Sequence, residues 1–528
     1  MRHSILFTFF LFMFFSKAQN TFDYTLEILP VNVTNLPGLH SFVFGQHENK
    51  WLLIGGRKDG LHARQPFNAF PSTSNNTDLY VVDVNTNQIW SFSLNSLPTA
   101  IKEQLQSTNM NFYQDGNNLY IIGGYAFSAT ANGHITFDKL TAINVSGLVN
   151  AIINNQPITS FFKQIANSNF ANTGGQLGKI DDTFYLVGGH RFDGRYNPMN
   201  NPTFTQTYSN QIRKFKIVNS ETSLSITDFE AITDPVHLRR RDYNLLPQIF
   251  PDGTHGYTIS TGVFQIGADL PFLYPVDIKA TGYSPITNFN QYLSHYHSAK
   301  VCLHDQAQNK MYNLFFGGIS QYYYNNGQLV QDNNVPFVKT ISLLQRHANG
   351  LLEEFLLPIE MPGLKGASAE FIPNQNLPHH PSEIIKLNDI LADQFIIGHI
   401  VGGIDTNSLN PFSNNQTSTT SASANIYAVK LIKTPLSIQT VDGSNPYTLS
   451  VFPVPAKDFI NIQLNQLPTK NLKYILTNAL GQIIEQDELD ALKLNHQISL
   501  KQINSSTIFL SVIVDDKYYL SKKISTIN

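Results

Sequence analysis

The chain of 528 residues contains one cysteine, Cys302. One thiol allows no intramolecular disulfide and no cysteine-based zinc site, so packing alone must hold the fold. Cys302 sits in Ala299-Lys300-Val301-Cys302-Leu303, an apolar strand pattern in which a free cysteine behaves as a small buried hydrophobe and not as a nucleophile. Charge is also scarce. Charged residues make up 14% of the chain and the formal net charge is −3, which leaves no long-range field to draw nucleic acid or an anionic lipid surface. No segment beyond the N-terminal leader approaches the ~18 apolar residues of a membrane-spanning helix. Nucleotide and hydrolase signatures are missing too. Gly174-Gly175-Gln176-Leu177-Gly178 lacks the lysine and the strand-turn-helix setting of a phosphate loop, and no His-Glu-x-x-His or Gly-x-Ser-x-Gly occurs. His379-His380, between Pro378 and Pro381, lacks a third metal ligand and reads as a solvated loop. Neither a metal nor a cofactor is expected.

What the chain does have is aromatic and polar. Aromatics reach 12%, with 37 Phe and 23 Tyr, a composition that suits many strands joined by polar turns. At the N-terminus, Met1-Arg2-His3 is basic, Ile5 to Phe15 is apolar apart from Thr8, and Ser16-Lys17-Ala18 offers small residues for cleavage. Residues 1–18 therefore read as a secretory signal peptide.

A short apolar run ending in two glycines recurs through residues 20–433. It appears as Trp51-Leu52-Leu53-Ile54-Gly55-Gly56, Leu119-Tyr120-Ile121-Ile122-Gly123-Gly124 and Phe184-Tyr185-Leu186-Val187-Gly188-Gly189. It returns as Leu314-Phe315-Phe316-Gly317-Gly318 and Ile400-Val401-Gly402-Gly403, with a degenerate copy at Tyr257-Thr258-Ile259-Ser260-Thr261-Gly262. Copies spaced this widely fit four-stranded blades with loop insertions. Each apolar run reads as a strand covered on both faces. Ahead of it lies another strand, such as Leu39 to Phe44 or Ala299 to Leu303. After it come a third, such as Asp78 to Asp83, and a fourth, Ile89 to Leu94. The last copy lacks an evident fourth strand. Two segments compete to fill the vacancy and close the ring: Phe22 to Leu29, the better match in alternation, and Leu436 to Val441. The first copy, with Gly55-Gly56, Thr77-Asp78-Leu79-Tyr80 and Trp90, resembles the kelch repeat, and His237 to Tyr243 resembles the basic start of a kelch innermost strand. The resemblance implies a six-bladed β-propeller; it says little about function.

Residues 434–447 read as a polar linker with Pro435, Gly443 and Pro446. Residues 448–528 open with Phe452-Pro453-Val454-Pro455-Ala456 and continue in an alternating strand. They go on to Leu480-Gly481-Gln482, Ser506-Thr507-Ile508-Phe509 and Lys522-Lys523-Ile524. This order of motifs resembles the type A sorting domain of the Bacteroidetes type IX secretion system. Pro453, Pro455, Ala456, Gly481, Lys522 and Lys523 are the matching positions, and Phe452 and Val454 depart from the usual Tyr and Asn. The resemblance implies a small β-sandwich, a partnership with the type IX machinery, and a protein released from the cell or held at its outer surface.

The whole is expected to be all-β. Candidate ligand-binding residues are the polar ones on the innermost strands that line the channel: His40, Asn111, Arg241, Asp242, His295 and His297, with Ser41 and Ser298 beside them. Their structural alternative is hydrogen bonding between neighbouring strands. Two functions follow. One is a non-enzymatic propeller that binds a protein or glycan through long loops such as Arg191 to Tyr208 and Gln321 to Asn334. The other, implied by likeness to kelch-type sialic-acid mutarotases, is a sugar-processing enzyme in which Arg241 meets His297 and a carboxylate. A copper-radical oxidase fits less well, because Cys302 lies on an innermost strand of a late blade. The Ser/Thr/Asn tract from Ser413 to Ser423 reads as a loop in blade six.

Overall fold

A computed structural model describes residues 22–197, 203–433, 446–478, 482–501, 503 and 505–527. The expected signal peptide, the rival closing strand at Leu436 to Val441 and Gly481 lie outside these residues. The chain divides into two compact units between Thr434 and Pro435.

The first unit is a ring of six antiparallel sheets. Blade one runs from the channel outward as Val43–His47, Lys50–Ile54, Asp78–Asp83 and Gln88–Ser93. The innermost strands of blades two to six are Asn111–Asp115, Gln176–Ile180, Leu245–Ile249, Ala299–Asp305 and Glu370–Pro373. The second strands carry the repeat. Leu52, Ile54, Ile121, Ile122, Val187, Ile259, Leu314 and Phe316 are all at most 0% exposed to the nearest percent, as expected for strands covered by a neighbouring blade on each face. Blade six takes its outermost strand from the start of the chain. Tyr24–Val31 pairs antiparallel with Ile426–Lys433, Tyr24 opposite Lys433 and Val31 opposite Ile426.

The paired glycines have a specific task. Both adopt positive φ, as at Gly123 (69°) and Gly124 (96°), a region open to glycine but costly for residues with a Cβ. The second glycine then donates its N–H to the next blade: Gly56 to Ser107, Gly124 to Asn172, Gly189 to Arg240, Gly262 to His295, Gly318 to Lys365 and Gly403 to Leu39. Six bonds thus run once around the ring. A Cβ on Gly123 would lie 1.9 Å from the Asn172 carbonyl oxygen, so close approach also demands glycine. This alignment corrects the degenerate copy: Gly262 stands for the second glycine of a pair, and Thr261 occupies the place of the first, donating its hydroxyl to the His295 carbonyl.

The inner strand of blade one starts at Val43, later than the apolar run from Leu39 predicts. Ser41 has φ 53°, which breaks the extended chain before the ladder begins. The Ser413 to Ser423 tract is tied down: Ser421–Ala422 pairs with Ile404–Thr406, and the Thr420 hydroxyl accepts from Leu61 N–H.

The second unit stacks a three-stranded sheet (Leu449–Phe452, Phe459–Leu464, Asn495–Ser499) and a four-stranded sheet (Ile483–Leu489, Leu472–Asn478, Thr507–Val514, Tyr518–Ser525) around one core. Ile460, Ile462 and Leu464 point inward while Phe459 is exposed, the alternation of a sandwich strand.

Candidate functional site

Five of the six residues two or three places ahead of the innermost strands have positive φ: Ser41, Asn109, Gly174, Asp242 and Ser368. His297 completes the set. The backbone N–H of each donates to the carbonyl of the one before it: Asn109 to Ser41, Gly174 to Asn109, Asp242 to Gly174, His297 to Asp242, Ser368 to His297 and Ser41 back to Ser368, at 2.7–3.2 Å. This closed hydrogen-bonded ring constricts the channel. Ser41, Asn109 and Asp242 line cavities on both sides of it.

The larger cavity, about 600 Å³, opens on the face that carries the loops between second and third strands. Its floor has a regular construction. The residue before each ring member bonds to the residue after each glycine pair: His40 with Arg57, Thr108 with Tyr125, Thr173 with His190, Arg241 with Val263 and Tyr296 with Ile319, while Ala367 pairs with Ile404. Its walls are aromatic. The His62 ring stacks on Phe70 at 4.7 Å and meets Tyr196 and Phe412 edge-on at 4.9 and 5.4 Å. The guanidinium of Arg239 lies over Tyr208 at 3.8 Å, and that of Arg241 over Phe264 at 4.9 Å. Gln206, Gln265, Asn333 and Asn410 add amides.

Most of the charge in this cavity is neutralised from within. Arg57 donates to both carboxylate oxygens of Asp59 and to Asn75; Arg241 donates to Asp242 and to the Tyr208 hydroxyl. Arg239 donates only to the carbonyls of Phe264 and Gln265 and has no acid partner among the described residues. The imidazoles are held neutral. Burial lowers His62 to about 4, with Arg241 and Arg57 nearby adding to the effect. Burial and Arg241 hold His190 well below its ordinary value, and burial lowers His40 against the pull of Asp59.

The smaller cavity, about 180 Å³, is the channel on the other side of the ring. It is lined by Phe44, Asn111, Phe112, Lys300, Cys302, Glu370 and Phe371. Its far wall includes Ser382 and Glu383, from a long excursion between the first two strands of blade six. The short strand Ile385–Lys386 of that excursion adds in parallel to the inner strand of blade five.

The sequence-predicted residues divide between these places. His40, Arg241 and Asp242 line the large cavity; Asn111, Asp242 and His297 line the small one. Of the six, only Asn111 belongs to an innermost strand; the others precede one. His295 lines neither cavity. The chain alternates there, so Tyr296 faces the large cavity while His295 turns between blades, bonded to Gln291 carbonyl and Gln321 N–H. Arg241 and His297 do not meet: the first engages Asp242, and the second lies 3.3 Å from Glu370 in the other cavity. Cys302 is buried at the small cavity, where desolvation pushes its thiol up to about 12. Sequence reasoning missed Arg57, Tyr125, His190, Ile319 and Ile404, yet one signal marks all five, since each directly follows a glycine pair. Among the described residues, no group of three His, Cys, Asp or Glu side chains is arranged to hold a metal.

The propeller unit is therefore a six-bladed, kelch-like β-propeller, and the described residues are almost all β, with two short helices at Thr99–Leu105 and Val145–Ile153. The second unit is a secretion sorting domain: residues 450–526 match the family described as secretion system C-terminal sorting domain. Such a domain marks a secreted or cell-surface protein and implies contact with the type IX machinery. In it Ala456 is fully buried, Pro453 and Pro455 are exposed, and Lys522 and Lys523 project from the last strand into solvent. No helix of the described residues is long and apolar enough to cross a membrane. Among solved structures, the chain is similar to YjhT, with TM-score 0.41, 12% identity, and 72% of this chain and 95% of that one covered. It is also similar to a fungal alcohol oxidase of the AA5 family in complex with copper, with TM-score 0.36, 10% identity, and 96% and 99% covered. No curated protein matches the chain.

Proposed function

We propose that this is an exported glycan-binding propeller, non-enzymatic, that holds its ligand in the large cavity. The observation that carries the reading is the composition of that cavity's wall: the rings of Tyr196, Tyr208 and Phe412 lie beside the amides of Gln206, Gln265, Asn333 and Asn410, which offer paired donors and acceptors. Sugar rings need both, an apolar face to stack and hydroxyls to bond. The volume of about 600 Å³ lies within the ~300–1,000 Å³ of ordinary ligand sites. Since Arg57 and Arg241 are already paired with carboxylates, Arg239 is left to meet any charge on the ligand, and shape and hydrogen bonds carry the rest. The test is a glycan array on the full chain, followed by titration of the best ligand. Tyr208→Ala is expected to weaken binding at least tenfold, about 1.4 kcal/mol, with little change in melting temperature. Retention of no glycan, or equal binding by the variant, would refute the proposal.

A second reading is catalysis of anomer exchange, favoured by one observation: His62 and His190 line the same cavity and are held neutral. A neutral imidazole can take up a proton from one sugar oxygen and return it to another. Anomer-exchange NMR on the bound sugar decides. A rate equal to that in buffer removes this reading and leaves binding alone.

A further inference from the structure

The small cavity holds a charge that nothing else in the fold accounts for. Lys300 lines it from the inner strand of blade five, and it makes no hydrogen bond and no ion pair among the described residues. Burial depresses its basicity, while Glu370, Cys302 and Glu383 act in the opposite sense. Two of the carboxyls around it are otherwise engaged. Asp242 is taken by Arg241, and Glu370 lies 3.3 Å from His297. Glu383 lines the same wall and is itself exposed to solvent. Ser382, next to Glu383 in the same wall, has a buried hydroxyl with no hydrogen-bond partner. The Lys300 amine and the Ser382 hydroxyl thus border one space, and both are donors.

Apolar side chains, Phe44, Phe112, Leu177, Val301 and Phe371, line the same cavity beside the polar Asn111, Gln114 and Gln176. At about 180 Å³ it is smaller than the ~300 Å³ at which drug-sized sites begin. The ring of backbone hydrogen bonds separates it from the large cavity.

We propose that this chamber is a second binding site, for one short-chain monocarboxylate whose oxygens accept from Lys300 and Ser382 and whose carbon tail packs on Phe44, Phe112 and Phe371. A carboxylate neutralises an ammonium that makes no ion pair among the described residues, and partial burial makes that pairing stronger than it would be in water. Doubly charged anions fit poorly, because Glu370 and Asp242 stand at the same wall.

The experiment titrates the full chain with ¹³C-labelled acetate, propionate and butyrate and follows bound ligand by NMR, alongside Lys300→Met and Lys300→Arg. Lys300→Met replaces a buried charge by an apolar chain of similar length, so it is expected to fold at least as well as the parent. The expected result is one saturable site, tighter for propionate or butyrate than for acetate. Affinity should fall at least tenfold in Lys300→Met and be partly kept in Lys300→Arg. Glycan binding in the large cavity should be unchanged in Lys300→Met. Absence of saturable binding in the parent, equal binding by Lys300→Met, or equal competition by chloride would each overturn the proposal.

Discussion

Glu354 shows how strongly the ring can distort the chemistry of one side chain. It stands on the outer strand of blade five, Leu352–Glu360, and accepts the backbone N–H groups of Tyr292 and Leu293 at 2.7 and 3.0 Å. Those two bonds favour the carboxylate, but burial acts more strongly and lifts the group from 4.5 to about 8. A folded carboxyl that keeps its proton to about pH 8 binds more protons than the unfolded chain does across the window from 4.5 to about 8. Stability contributed by this group is accordingly complete below that window and declines as the pH rises through it. Glu354→Gln removes the titration. The melting temperature of the parent relative to this variant should drop between pH 5 and 8, with ~2–4 °C for each ~1 kcal/mol in a domain of this size. A difference that stays flat from pH 4 to 9 would contradict the assignment. The same comparison of environments separates Arg240 from its neighbours. Arg240 is fully buried and bonds to the carbonyls of His237, Thr261 and Tyr274, so the middle arginine of Arg239-Arg240-Arg241 is structural while those on either side face the large cavity.

At the scale of strands, the closing element Tyr24–Val31 offers a clean test, because its two faces differ. Leu26 is 6% exposed and belongs to the core shared by blades five and six, whereas Leu29 is 39% exposed. Leu26→Ala is expected to cost ~2–5 kcal/mol by the lost contacts and the cavity left behind, and Leu29→Ala ~0.5 kcal/mol or less. Urea denaturation measures both; equal effects would mean the strand does not pack as described. This strand was legible in the sequence because an alternating segment stood without a partner while blade six lacked one. Third and fourth strands such as Asp78–Asp83 and Gln88–Ser93 were legible within a residue, since a buried apolar run and its turn fix the register. The inner strands were less so. Leu39 to Phe44 reads as one apolar strand, but the turn at Ser41 and the bond from His40 to Arg57 interrupt it, and neither leaves a mark in hydrophobicity. The candidate site was half legible for a related reason. Polar residues ahead of the inner strands are visible in the sequence, His40 after Leu39 and Arg241 in the basic run Arg239-Arg240-Arg241. The facing residues Arg57, Tyr125, His190, Ile319 and Ile404 share a position but no residue type. Their loops differ in length, so the cavity they build emerges only when the ring is closed.

The whole propeller is held by three closed circuits: the apolar faces of six blades, the six bonds donated by second glycines, and the six bonds of the inner ring. None of these depends on where the chain starts. The ends of the unit meet in blade six, where Tyr24 lies opposite Lys433, and no disulfide joins them, since Cys302 is the one cysteine. A ring of this kind should tolerate moving its ends to another blade. The exposed turn at Ser220–Ser223 in blade three, closed by the bond from Ser220 N–H to Ser223 carbonyl, is a suitable cut. A permutant that begins at residue 223, joins Lys433 to Phe22 through a short Gly/Ser link and ends at residue 220 before the sorting unit keeps every strand of every blade. It is expected to melt within about 5 °C of the parent, roughly 1–2 kcal/mol, and to bind the same glycan. Deleting residues 22–31 from the parent removes fewer covalent connections than the permutation rearranges, yet it strips blade six of a strand and exposes the edge of Ile426–Lys433 to pairing with other chains. That deletion should aggregate or melt far lower. If the permutant fails while the deletion survives, stability resides in chain order and local contacts, and the circuits described above are incidental to it.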